Sequence, residues 1–168
     1  MEIVDHYRLD LPYPAVTITE CDYKYANMLS DVYAGQVSKT TAIAQYRVHA
    51  LYLPGYPHVL AAYRGIGEVE MLHQDLLGSL VMKLCASPRL FSGVSRRFWN
   101  GSFPAYQCRL LPIFNSDIKG EREIIAVYRR CIECVRNESI NALLERIMLD
   151  EELHITILQS LIDRYGNP

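Results

Sequence analysis

Apolar residues recur every three or four positions through most of the chain, and prolines and glycines stand where that rhythm stops. From Tyr23 to Leu53, Met28, Val32, Ile43, Tyr46 and Ala50 recur at spacings of three and four or their sums with no proline between them, which predicts a first helix ended by Pro54-Gly55. A second helix is predicted to start near Pro57, since proline is tolerated in a first turn, and to run to about Ala86 before Ser87-Pro88. Its inward stripe is Tyr63, Ile66, Glu70, His73, Leu77, Leu80 and Leu84. At about 1.5 Å per residue it spans roughly 45 Å, a length normal for a bundle. Residues 87–117 break the pattern with Pro88, Gly93, Gly101, Pro104 and Pro112 and hold the single tryptophan, Trp99. So long a connection implies a task, here to travel the length of the bundle. A third helix is expected from about Asp117, read as its N-cap, to Arg136, and a fourth from Ile140 to about Tyr165 after the turn Asn137-Glu138-Ser139. Residues 1–20, with Pro12, Pro14 and the alternating Ala15-Val16-Thr17-Ile18-Thr19, read as an extended arm that lies across the bundle or reaches a neighbour. The pattern predicts an all-α four-helix bundle, one domain over residues 1–168, with two antiparallel hairpins joined by a long crossover.

Composition narrows the partners. Half of the 168 residues are apolar or aromatic and 21% are charged, as in a soluble globular domain, and a net charge of −2 gives no reason to expect nucleic acid. Arg96-Arg97 and Arg129-Arg130 then read as solvated faces or carboxylate partners. The first residues show no basic flank ahead of an apolar core, and no uncharged apolar run is long enough to cross a bilayer. A soluble cytoplasmic protein, without membrane, is expected. Five cysteines, at 21, 85, 108, 131 and 134, suggest reduced thiols rather than a disulfide framework, with the Cys131/Cys134 pair read as packing thiols first and a redox pair second.

The candidate chemistry lies on the second and fourth helices. Glu70-Met71-Leu72-His73 is answered by Glu151-Glu152-Leu153-His154. Residues three apart share a helix face, so each Glu-x-x-His aims a carboxylate and an imidazole in one direction. Charges on an apolar stripe cost several kcal/mol each unless paired or bound to metal. One such motif is explained by a salt-bridged edge carboxylate and a core histidine; two, on facing helices, describe a bundle metal site, which also asks for a Glu from each remaining helix. The third helix offers Glu121, with Ile125, Tyr128 and Ile132 on its face, and the first offers none.

These residues carry a resemblance. From about residue 25 to 163 the chain resembles the ferritin-like superfamily, in particular its bacterioferritin and manganese-catalase type of di-metal bundle. The resemblance rests on Ala34-Gly35-Gln36-Val37-Ser38-Lys39-Thr40-Thr41-Ala42-Ile43-Ala44-Gln45-Tyr46, both Glu-x-x-His motifs, and Gly120-Glu121 with Tyr128-Arg129-Arg130. It implies a dinuclear iron or manganese centre and chemistry with dioxygen or peroxide. In the segment similar to the family's helix-one pattern, the ligand carboxylate is replaced by Lys39. Four carboxylates and two divalent ions sum to zero; so do three carboxylates, one ammonium and one divalent ion. One ion of iron or manganese is therefore expected rather than two, held by Glu121, Glu151 and His154 with Glu70 shared and His73 residual. Gln36, one turn before Lys39, is a weaker oxygen donor. A metal-free form, with Lys39 bridging Glu70, Glu121 or Glu151 and the histidines partly protonated, stays open, as does a rotated first helix whose lysine reaches solvent.

Two functions follow as expectations. The first is a metalloprotein with possible redox chemistry on peroxide, dioxygen or ferrous iron, with metal ions and small oxidants as partners and a homo-oligomeric state. The alternative is a non-enzymatic bundle, an assembly or interaction module without metal. Tyr46 and Tyr128 are core aromatics or electron relays near the centre. His6, His49 and His58 show no partner at ligand spacing.

Overall fold

In a computed structural model, which describes residues 7–166, the chain folds as five α-helices: α1 (Tyr23–Ala34), α2 (Lys39–Ala50), α3 (Pro57–Lys83), α4 (Leu110–Cys134) and α5 (Glu138–Tyr165). A two-residue hairpin, β1 (Phe91–Ser92) against β2 (Arg97–Phe98), sits in the crossover. The first two helices together occupy one position of the bundle, so the architecture is the predicted pair of hairpins joined by a long crossover. His6 lies outside the described residues.

The long helices follow their apolar stripes. All seven predicted stripe positions, from Tyr63 in α3 to Leu84 at its C-cap, are buried at the core, Glu70 and His73 included. Along α5 the buried positions Ile140, Leu143, Leu144, Ile147, Glu151, His154, Leu158 and Leu161 keep the same three-and-four rhythm. Two apolar clusters result. One gathers Leu29, Leu77, Leu80, Tyr128, Leu144 and Ile147. The other gathers Tyr46, Tyr63, Ile66, Phe114 and Leu158. The polar centre lies between them.

Three expectations are corrected. The first helix is not continuous: α1 stops at Ala34 and α2 restarts at Lys39. Gly35 takes an extended conformation against Asp31, where an added Cβ would stand 2.4 Å from the Asp31 carboxylate. Ser38 then caps α2, its hydroxyl accepting from Thr41 N at 3.2 Å. Secondly, α4 begins seven residues before Asp117, because Pro112 falls in its first turn, where no intrahelical N–H is required. Asp117 is a buried mid-helix residue and not a cap. Thirdly, Cys21 and Cys85 form a disulfide, against the expectation of reduced thiols throughout. Their sequence separation of 64 hides the pairing from any local reading, and closing such a loop contributes about 4 kcal/mol in the chain-entropy account. Cys131 is buried and Cys134 exposed, both as free thiols, and burial pushes the Cys131 thiol up to about 11.

Residues 7–21 form the expected extended arm, and it lies across the bundle against α3 and α5. At its end α3 closes with Ala86 N donating to Val81 O (3.1 Å) and Cys85 N to Met82 O (2.9 Å), the six-to-one and five-to-two pattern that normally recruits glycine. Cys85 holds that place with φ 67°, at a cost of about 1–2 kcal/mol for a residue with a Cβ. None of the helices is long and apolar enough to cross a membrane among the described residues.

Candidate metal centre

Four helices each send one polar residue to the middle of the bundle, and α3 and α5 send a second. Lys39 comes from the first turn of α2, Glu70 and His73 from α3, Glu121 from α4, and Glu151 and His154 from α5. All six are buried, Lys39 with no exposure at all, so the outward-pointing lysine is excluded. The expected ligand positions are thus brought together, and Lys39 stands among them.

The two carboxylates of Glu70 and Glu151 are divided between two neighbours. Lys39 Nζ donates to Glu70 Oε2 and to Glu151 Oε1, both at 2.6 Å. The remaining oxygens, Glu70 Oε1 and Glu151 Oε2, each lie 3.3 Å from His154 Nδ1, and Glu121 Oε1 lies 3.6 Å from the same nitrogen. Glu70 Oε1, Glu151 Oε2 and His154 Nδ1 are buried without a hydrogen-bond partner. Separations of 3.3–3.6 Å are long for hydrogen bonds. They are close to the donor spacing of about 3.0–3.4 Å that bonds of ~2.1 Å to a common cation impose. One donor atom from each of Glu70, Glu121, Glu151 and His154 falls within 4.8 Å of the others. Three carboxylates and an imidazole are a donor set that iron and manganese accept. The residues fit a divalent ion.

The two histidines differ in what surrounds them. His154 Nε2 donates to the carbonyl of Tyr7 at 2.9 Å, which in the neutral ring leaves the Nδ1 lone pair facing the three carboxylates. His73 instead turns Nε2 to Asp150 Oδ2 and the Tyr13 hydroxyl, each at 3.1 Å, and its Nδ1 lies 3.3 Å from Glu151 Oε1, the oxygen already engaged by Lys39. Tyr13 donates to Asp150 at 2.6 Å, Leu9 N donates to it at 2.8 Å, and Arg146 pairs with it at 2.8 Å.

Electrostatics follow the same division. Burial alone favours a neutral Lys39 amine, but the Glu151 and Glu70 carboxylates outweigh it and hold the ammonium well above its usual range. Burial opposes charge on Glu151, yet Lys39 and His73 hold it well below the carboxylate range. Glu121 is not hydrogen-bonded by Lys39: burial and the Glu70 charge, only partly offset by His154 and Lys39, push it up to about 7, and Tyr46 donates to its Oε1 at 2.5 Å. Burial lowers both histidines, but the carboxylates win; His73 is raised to about 9, with Glu151 as the main cause, and His154 is raised well above its usual value by Glu121, Glu151 and Glu70. Three carboxylates and one ammonium leave −2, which two protons or one divalent ion neutralise.

Other sequence candidates sit elsewhere. Gln36 is exposed in the break between α1 and α2, at the rim of a pocket of about 590 Å³ whose inner wall includes Tyr46, Asp117 and Glu121. Tyr128 is buried with its ring 5.9 Å from Lys39 Nζ and its hydroxyl unpartnered. His58 is exposed. His49 does have a partner, contrary to expectation: its Nδ1 lies 2.9 Å from Asp117 Oδ2, and Gln45 and Tyr63 each donate to Asp117 at 2.7 Å. A sequence signal for this second buried cluster existed, since Asp117 and Glu121 are four apart on one face, but reading Asp117 as a cap concealed it.

The fold defined by these elements is the ferritin-like four-helix bundle. No family model and no curated protein matches the sequence. Among solved structures, the chain is similar to a manganese catalase from Anabaena, with a TM-score of 0.84, 16% identity and coverage of 95% of this chain and 80% of that one. It is also similar to Rhodobacter capsulatus bacterioferritin, described with a metal-free dinuclear site (TM-score 0.72, 23% identity, 87% and 89% coverage). A dodecameric thioferritin, the bacterioferritin-related protein of Bacteroides fragilis, matches with a TM-score of 0.71 at 18% identity over 88% and 89% of the two chains. The resemblance read from the motifs holds for the fold.

Proposed function

We propose that this chain is a ferritin-like metalloprotein holding a single iron or manganese ion, with Lys39 standing permanently in place of a second cation. The observation that carries the reading is the division of Glu70 and Glu151: one oxygen of each is taken by the ammonium, and the other is left orphaned beside His154 Nδ1 and Glu121. Glu70, Glu121, Glu151 and His154 hold the ion, and His73 remains on the lysine's side. A bound iron or manganese ion supplies one-electron redox capacity toward dioxygen, peroxide or ferrous iron. Lys39 keeps its two carboxylates ionised, Tyr46 holds the Glu121 carboxylate by its hydroxyl, and the α-helical stripes around the centre exclude water. A homo-oligomer belongs to the same reading, supported by the dodecameric neighbour.

Anaerobic loading with Mn(II) or Fe(II), followed by elemental analysis, tests the stoichiometry. About one equivalent is expected for the protein, and about two for Lys39→Glu. Less than roughly a tenth of an equivalent in the wild type removes the metal reading and leaves the assembly module, in which the Lys39 bridge is simply a buried ion network.

A further inference from the structure

The arm supplies the groups that orient both histidines. The Tyr7 carbonyl accepts from His154 Nε2 at 2.9 Å, and the Tyr13 hydroxyl meets His73 Nε2 and Asp150 at 3.1 and 2.6 Å. At this inner end the arm is held by buried partners: Leu9 N donates to Asp150, and Arg146 donates to the carbonyls of Leu9 and Leu11. Toward its outer end the hydrogen bonds are exposed: Lys83 Nζ to Val16 O (3.1 Å), Thr17 N to Ser139 Oγ (3.1 Å) and Asn137 Nδ2 to Thr17 O (3.2 Å). Water competes with each of these on nearly equal terms. Val16 and Ile18 pack against the core but are only partly buried. The outer end is joined covalently to the end of α3 by the Cys21–Cys85 bond, beside the point where the chain enters α1 at its Asp22 cap. Both cysteines are exposed, so a reductant in solution reaches the sulfur pair. Cys85, moreover, takes a left-handed backbone position that favours glycine, so its side chain is kept there against local preference.

We infer that the Cys21–Cys85 disulfide is a redox latch on the metal centre: oxidised, it holds the arm that orients His73 and His154, and reduced, it lets the arm lift and the ion leave. The inference rests on the single-ion reading of the centre. The chemistry balances without a further component. A dithiol gives two electrons and two protons to the sulfur pair, yielding two cysteine thiols and the dithiol's own disulfide; hydrogen peroxide reverses this, taking both thiol hydrogens and leaving as two waters. Peroxide would thus close the latch as it reaches a centre that handles it.

The test uses the full chain, air-oxidised or reduced with dithiothreitol and desalted anaerobically. Free Mn(II) is followed by its electron paramagnetic resonance signal, and amide exchange over residues 7–17 by mass spectrometry. Loss of orienting partners weakens metal sites about 10- to 100-fold, so reduction is expected to weaken Mn(II) binding about tenfold or more and to accelerate exchange in the arm. Cys21→Ser should behave as reduced protein in either condition, and Cys131→Ser should still respond. Equal Mn(II) affinity in oxidised, reduced and Cys21→Ser protein overturns the inference, as does a finding of free Cys21 and Cys85 thiols in the air-oxidised chain. If the oxidised protein binds no Mn(II), the single-ion reading falls instead; exchange then decides the latch alone, acceleration on reduction upholding it and unchanged exchange overturning it.

Discussion

The two Glu-x-x-His motifs are the same in sequence and opposite in situation. Around His154, three carboxylate oxygens and an imidazole nitrogen converge, none of the oxygens hydrogen-bonded to Lys39, and the ring is aimed by a backbone carbonyl. Around His73, the carboxylate oxygen nearest Nδ1 is already in a 2.6 Å hydrogen bond with Lys39, and Nε2 is tied to Asp150 and Tyr13. One residue of α2 makes the difference. A motif supplies ligands only where the facing helix leaves the charge to be filled, so counting motifs overstates the number of ions a bundle can hold.

The comparison breaks first at Lys39. Lys39→Met strips the cation from two fully buried carboxylates, and the metal-free protein is expected to lose about 3–5 kcal/mol in urea unfolding. A loss below about 1 kcal/mol would mean that the pair is not the keystone of the site. Next come the histidines. His154→Ala should weaken Mn(II) binding at least about 100-fold by removing a ligand, whereas His73→Ala should change it less than about fivefold and leave the stoichiometry at one. Equal effects from the two would restore the symmetric site.

Asp117→Asn serves as the contrast outside the centre. It removes the charge that Gln45, His49 and Tyr63 share and is expected to cost about 1–3 kcal/mol without altering metal stoichiometry. The smallest effect is in pH. Glu121 and His73 carry folded values above their usual ones, about 7 against 4.5 and about 9 against 6.5. The metal-free fold therefore holds protons that the unfolded chain releases, and their stabilisation is complete below the usual values and lost as pH rises through about 7 and then about 9. An ion held by Glu121 displaces its proton, so the rise in Tm on adding Mn(II) should grow from about pH 6 to 8 by a few degrees. A shift that shrinks with pH contradicts this proton balance.

Much of this was legible in residues of α3 and α5, where an apolar stripe of period 3.6 runs for over twenty residues and any charge on it is conspicuous. Lys39 was legible because the motif around it specified a carboxylate. The break before it was not: Gly35 and Ser38 are compatible with a continuing helix until the Asp31 side chain is placed against the glycine. The start of α4 was misread because Pro112 looks like a terminator and is in fact a first-turn residue. The arm's role was hidden for another reason. An extended segment recognises its partners through single backbone groups, such as the Tyr7 carbonyl, and these leave no periodic trace.

The four residues between α1 and α2 also bear on how the protein tolerates change. In an unbroken helix, one inserted or deleted residue turns everything after it by about 100°, and Lys39 would swing away from both carboxylates. Because α2 restarts at its own cap, Ser38, a change of length within residues 35–37 is absorbed before the lysine's register is set. The ammonium's direction is inherited from its cap rather than from the helix before it.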